Sequence, residues 1–203
     1  MHTYSLSKNF REIVNTILVS SSILILLILE YLQCEDRMYA FFGIEQGFWY
    51  VICKVFWGLL PFSIYGGVTF VYNHYVWRWK LLQNWHGVPD LAGRWEGVVV
   101  SELKEQDVPI MVIVEQTWTK IKIRTKTAKA RAYSDSAIIE STESGEIYVR
   151  YSFINVDENN VSYQGYNRLR FAENELAGNY FTEKEIPGEC GRGSKGKIYL
   201  QKE

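Results

Sequence analysis

The feature that most constrains this chain is a run with no charged side chain, residues 13–29, dominated by Ile, Leu and Val. It continues past Glu30 with Tyr31 and Leu32. About 20 apolar residues in a helix match the hydrocarbon thickness of a bilayer. A secretory leader is the rival reading, but no small-x-small cleavage pattern follows the run. A second uncharged run covers 55–72, with Lys54 just before it. Trp49, Tyr50, Tyr72, Tyr75, Trp77 and Trp79 flank it, as aromatics do at a membrane interface. Pro61 predicts a kink, and Gly66-Gly67 a thin packing face. Ser20, Ser21 and Ser22 lie mid-run and leave two readings open. They bond across a helix contact, or they satisfy their own helix backbone.

Flanking cations set the expected orientation. Lys8 and Arg11 precede the first run, and Arg78 and Lys80 follow the second. The connecting loop, 33–47, holds Glu35, Asp36 and Glu45 against Arg37. Both termini are therefore expected in the cytoplasm, with the loop in the periplasm. The expected organisation is a transmembrane hairpin at 1–80, a linker at 81–90 and a β domain at 91–203. In the linker, Gly87 and Pro89 break the helix leaving the second run. His86 reads as a solvated linker residue.

The β reading begins at 91–100, LAGRWEGVVV. Gly93, Trp95 and Gly97 alternate, so in a strand they share one face. A single large ring between glycines suits the plugged end of a small barrel, although an ordinary core Trp reads the same way. Further alternation predicts strands at 93–102, 109–118, 120–126, 129–140, 146–155, 160–171, 175–183 and 197–201. Turn chemistry separates them at 105–107, 144–145, 157–160, 173–174 and 187–196. Eight short strands in a meander predict an up-and-down antiparallel barrel, lipocalin-like, with room for one small ligand. The fold class is thus membrane-anchored all-β.

Strand phase predicts an inner face of Ile121, Ile123 and Thr125; of Ile147, Val149, Tyr151 and Phe153; of Val161, Tyr163, Gly165, Asn167 and Leu169; and of Leu176, Gly178, Tyr180 and Thr182. The strand 129–140 stays ambiguous. Ala130, Ala132 and Ser134 are small, while Lys129, Arg131, Tyr133 and Asp135 are large and polar, and a bulge would shift the phase midway. Polar residues on an inner face need partners, which points to a pocket with a polar ligand or trapped water.

Several functions are excluded. The net charge of −1 leaves no global basic field for DNA or RNA. No HExxH, GxSxG, GxxxxGK[ST] or CxxC pattern occurs, so no catalytic residue, metal site or cofactor is expected and the chain reads as a non-enzyme. Cys34, Cys53 and Cys190 show neither disulfide nor zinc spacing and read as free thiols.

Two N-terminal spans, a short linker and a cytoplasmic meander resemble the membrane effectors of bacterial CBASS antiphage operons. Among them the chain resembles the CD-NTase-associated protein 15 family, the SMODS-associated two-transmembrane β-strand-rich effectors. The marks are GRWEG at 93–97, IKIRTKTAKARAYSDSAII at 121–139, YSF at 151–153, YQGYNRLRF at 163–171 and LAGNYFTEKEIPGECGRG at 176–193. The family shows more serine where this chain has Ala130 and Ala132. The resemblance implies a multi-pass protein of the bacterial inner membrane. Its barrel would bind a cyclic dinucleotide made by a partner CD-NTase. Homo-oligomerisation and disruption of the membrane lipid would follow, ending in death of the infected cell. Strand phase and family layout together nominate Trp95, Thr125, Arg131, Tyr133, Tyr151, Asn167, Tyr180 and Thr182 as ligand contacts. The alternative is a membrane-tethered lipocalin-like binder of a lipid or other apolar metabolite. Because the linker is short and bent, ligand-promoted oligomerisation is the expected activating step rather than a push along a lever.

Overall fold

The computed structural model describes residues 1–6, 10–43, 46–102, 107–142, 144–157, 161–186 and 189–203. Lys8, Glu45 and the turn residues 105–106 and 158–160 lie outside them, as do 187–188. The chain divides into two compact units, Asn9–Trp77 and Met1–Lys8 with Arg78–Glu203.

The first unit is helical. The uncharged runs form α1, Phe10–Tyr31, and α3, Phe48–His74, which continues through Pro61. The loop between them contains a short helix, α2, Cys34–Phe42, closed by Gly43 in the left-handed conformation. α1 packs on α3 through one stripe: Val14, Leu18 and Ser22 are four residues apart and buried, as one helix face requires. Many of the other apolar side chains of both helices are exposed, including Ile17, Leu24, Phe56 and Phe62. Both are long and apolar enough to cross a membrane by length and composition. Ser21 and Ser22 each donate to the Leu18 carbonyl, at 3.0 and 2.7 Å, so these two hydroxyls satisfy their own helix.

The second unit is a sheet of nine strands among the described residues. Eight follow the expected meander: β2 Gly93–Ser101, β3 Val108–Gln116, β4 Lys120–Lys126, β5 Ala130–Ser141, β6 Ile147–Asp157, β7 Ser162–Ala172, β8 Glu175–Ile186 and β9 Glu189–Lys202. Each is antiparallel to the next, and β9 returns to β2 from Trp95↔Lys202 to Ser101↔Gly196, so the strand order is closed. The turns are built by sequence. Thr117 and Thr127 each use backbone and hydroxyl to hold the residue three further on, Lys120 and Ala130. Glu173 and Asn174 both take positive φ, 47° and 82°, the pair of angles that a two-residue hairpin needs.

One strand has no counterpart in the sequence reading. β1, His2–Leu6, precedes the first apolar helix and lies in the sheet. β4 and β5 pair with each other only from Arg124↔Tyr133 to Lys126↔Arg131. Beyond that they part, and β1 fills the seam. It runs antiparallel to β4 (His2↔Ile121, Thr3↔Lys120) and parallel to β5 (Tyr4↔Ala137 to Leu6↔Ile139). Chain connection therefore joins the sheet to both ends of the helical unit, before α1 as well as after α3.

The segment after α3 is also more ordered than a solvated linker. α4, Lys80–His86, ends at Gly87 in the left-handed conformation. His86 is buried, which corrects its reading as a solvated residue. Its Nδ1 accepts the Val88 N–H at 3.0 Å, and its ring lies 4.8 Å from that of Trp118. Gln116 holds the next turn by receiving Leu91 N–H at 2.8 Å and donating to the Pro89 carbonyl at 3.2 Å. Val88 and Leu91 are buried in turn.

Trp95 plugs this end of the sheet. It is fully buried, donates its indole N–H to the Leu91 carbonyl at 2.9 Å, and lies edge-on to Phe171. Gly97, its neighbour on the same face, has no room for a side chain: a Cβ there would collide with the Tyr199 carbonyl of β9. Val112, Val114, Ile121, Ile139, Val149, Leu169, Leu176 and Leu200 complete an apolar half. Each such side chain gains roughly 1.5–3 kcal/mol by burial.

Candidate functional site

The other half of the inner face is polar. Register places Ala137, Tyr151, Asn167, Tyr180 and Gly196 side by side across β5 to β9. The next inward row is Ser134, Phe153, Gly165, Thr182 and Ser194. Thr125 of β4 pairs with Ala132 beside it. Alternation positions these groups: in β7, Gly165, Asn167 and Leu169 are buried while Gln164, Tyr166 and Arg168 between them are exposed.

Six of the eight nominated residues share this inner face: Trp95 at the plugged end, and Thr125, Tyr151, Asn167, Tyr180 and Thr182 in the polar half. Arg131 and Tyr133 stand apart, exposed on the outer surface. A bulge between Ser134 and Ser136 is the reason. Before it Ala132 and Ser134 face inward, after it Ala137 and Ile139 do, and all four are buried. β5 therefore contributes Ser134 to the polar rows, a residue not nominated from the sequence. Val161, assigned inward, precedes β7 and is exposed.

The site's chemistry is neutral. Among the described residues of the polar half, no Lys or Arg lies on the inner face. Burial pushes the Tyr151 phenol up to about 12, and hydrogen bonds from Asn167 and Thr125 offset part of that rise. Tyr151 thus stays protonated as a donor. Tyr180 and Ser194 hydroxyls are 3.4 Å apart, and Asn155 donates to Tyr163 at 2.8 Å. Asn167 is 4% exposed, yet its Oδ1 has no hydrogen-bond partner. A buried carbonyl oxygen left unmet costs about 1–3 kcal/mol, so this one is poised for a donor from outside the chain.

The tyrosine makes a pH prediction. Its folded pKa lies above the ordinary 10.0, so folding favours the neutral phenol. The resulting stability is present below about pH 10 and is lost as pH rises toward about 12. A two-unit rise corresponds to about 3 kcal/mol at most. Chemical denaturation of wild type and Tyr151→Phe between pH 8 and 12 checks it: the variant should lose less stability on the alkaline side.

The polar rows fall inside a stretch with known relatives. Residues 86–202 match the family described as "Cap15, cyclic dinucleotide receptor domain". CD-NTase-associated protein 15 of Staphylococcus schleiferi is 28% identical over 129 residues, covering 60% of this chain and 70% of that protein. That match takes in β2 to β9, the plugged end and both polar rows: the chain belongs to the Cap15 family.

Proposed function

We propose that this protein is a membrane effector of antiphage CBASS defence, whose lipocalin-like closed sheet binds a cyclic dinucleotide made by a CD-NTase. The observation that carries the reading is the pair of polar rows on an otherwise apolar inner face, inside the region matched by the receptor family. Hydroxyls of Thr125, Tyr151, Tyr180 and Thr182 suit phosphate and ribose oxygens. Tyrosine rings suit the faces of bases. The exposed apolar surfaces of α1 and α3 suit lipid. The cation pattern around them supports cytoplasmic termini in a bacterial inner membrane. A ligand that binds better to an assembled form shifts the population toward it, and assembly gathers the helices so that they disrupt the bilayer.

The competing occupant is a lipid or other apolar metabolite. Ligand released from the purified protein by denaturation separates the two. Absorbance near 260 nm, in a released species that phosphodiesterase cleaves to mononucleotides, supports the nucleotide. An extract soluble only in chloroform sinks it.

Gly67→Leu tests the assembly step. A Cβ at Gly67 would meet nothing within 4 Å, so the substitution begins in open space rather than against this chain's own atoms. Loss of dye-leakage activity in vesicles, with ligand affinity unchanged, is expected if α3 packs between copies through its small residues. Equal leakage from wild type and variant would remove that face from the assembly.

A further inference from the structure

β1 brings an imidazole to the inner face. His2 pairs with Ile121 and Tyr4 with Ala137; Ile121, Ala137 and Tyr4 are all buried, so His2, two residues from Tyr4, faces the interior as well. His2 Nε2 lies 2.7 Å from Ser134 Oγ. That oxygen also accepts the Ile123 N–H at 2.9 Å, where β4 and β5 part. The other ring nitrogen, Nδ1, lies 3.3 Å from the Thr3 carbonyl, which can only accept. In the neutral imidazole the network therefore assigns the proton to Nδ1 and makes Nε2 the acceptor of the Ser134 hydroxyl. With its one hydrogen and one lone pair engaged, Ser134 has only a lone pair left to offer. Asn167 offers the same kind of group through its unpartnered Oδ1.

We propose that His2 is a positioning residue that holds Ser134 as a hydrogen-bond acceptor, and that Ser134 and Asn167 Oδ1 read N–H groups on the base edges of the ligand. The inference rests on the receptor reading above and adds which part of the nucleotide is recognised. Phosphates carry only acceptors at neutral pH and cannot satisfy these two oxygens. Imide and amino groups of nucleobases can. A ligand whose N–H is blocked leaves a buried lone pair unmet, which is the strong form of discrimination. His2 lies ahead of α1 in the chain, so the strand that shapes the site also leads into the first apolar helix.

Full-length protein in detergent tests this. Affinities are measured for cyclic di-AMP, cyclic di-GMP, cyclic GMP-AMP and cyclic di-UMP, and for the tightest binder with its base N–H methylated. Wild type is expected to disfavour the methylated analogue by on the order of tenfold or more. Ser134→Ala should lose most of that preference. His2→Ala should reduce it by letting the hydroxyl rotate, and His2→Gln should restore it, because its Oε1 can accept the same hydrogen. In the Ser134→Ala background His2→Ala should add nothing, the signature of action through the serine. Thermal melts report folding, and Ser134→Ala decides the matter if His2→Ala fails to fold. Undiminished preference in folded Ser134→Ala, or independent effects of the two substitutions, would overturn the inference while leaving the receptor reading intact. If none of the four nucleotides binds wild type, the receptor reading falls and this inference with it.

Discussion

Trp95→Ala should cost about 3–5 kcal/mol, a large fraction of the about 5–15 kcal/mol that holds an ordinary domain folded. The indole is fully buried, and truncation would open a void walled by Phe171 and the apolar half of the sheet. It would also leave the Leu91 carbonyl without the indole N–H. Lys202 adds to the cost, because its ammonium sits 5.6 Å from the ring centroid while donating to the Asp90 carbonyl. Trp95→Phe should recover much of the volume and fall between the two. Urea denaturation followed by far-ultraviolet circular dichroism checks this. A loss below about 1 kcal/mol would mean that the ring is not the plug.

Asn167→Leu should separate stability from binding. In the unliganded protein Oδ1 is buried and unmet, so an apolar side chain of similar shape removes a penalty. It also removes the amide's hydrogen bond to Tyr151, whose phenol keeps the Thr125 side chain. The two effects roughly offset, and the variant should melt within about 1 kcal/mol of wild type. Affinity for the cyclic dinucleotide should fall by on the order of tenfold or more, since the ligand's donor then faces a hydrocarbon. A variant that binds as tightly as wild type would show that Asn167 is a structural residue.

Strand positions were legible where one period ruled. In 120–126, KIKIRTK, Ile121 and Ile123 are buried and Arg124 and Lys126 exposed, as alternation requires. Phase was not legible in β5, because a bulge changes which residues face inward and leaves no mark in the hydrophobic pattern. β9 is longer than the expected 197–201 for a different reason. Gly193 and Gly196 read as loop residues, but in the sheet each faces a neighbouring backbone: a Cβ at Gly193 would collide with the Thr182 carbonyl, and at Gly196 with that of Val100. Close approach, not turning, is their use. β1 was invisible because five residues, HTYSL, carry little pattern, and its partner β5 lies more than 120 residues away in sequence. His86 likewise showed no sign of its ring contact, Trp118, from sequence spacing. The inner polar residues of β4 and β6 to β8 were found by phase. Ser134 and His2 were missed because one depended on the bulge and the other on β1.

In the proposed function the polar half of the closed sheet receives a cyclic dinucleotide. Isothermal titration of the purified full-length protein in detergent tests it most directly, using a panel of cyclic dinucleotides with wild type, Asn167→Leu and Arg131→Ala. Saturable binding of at least one nucleotide is expected, strongly weakened by Asn167→Leu on the inner face and unchanged by Arg131→Ala on the outer one. Binding of no cyclic dinucleotide, or binding abolished by Arg131→Ala and spared by Asn167→Leu, would contradict it.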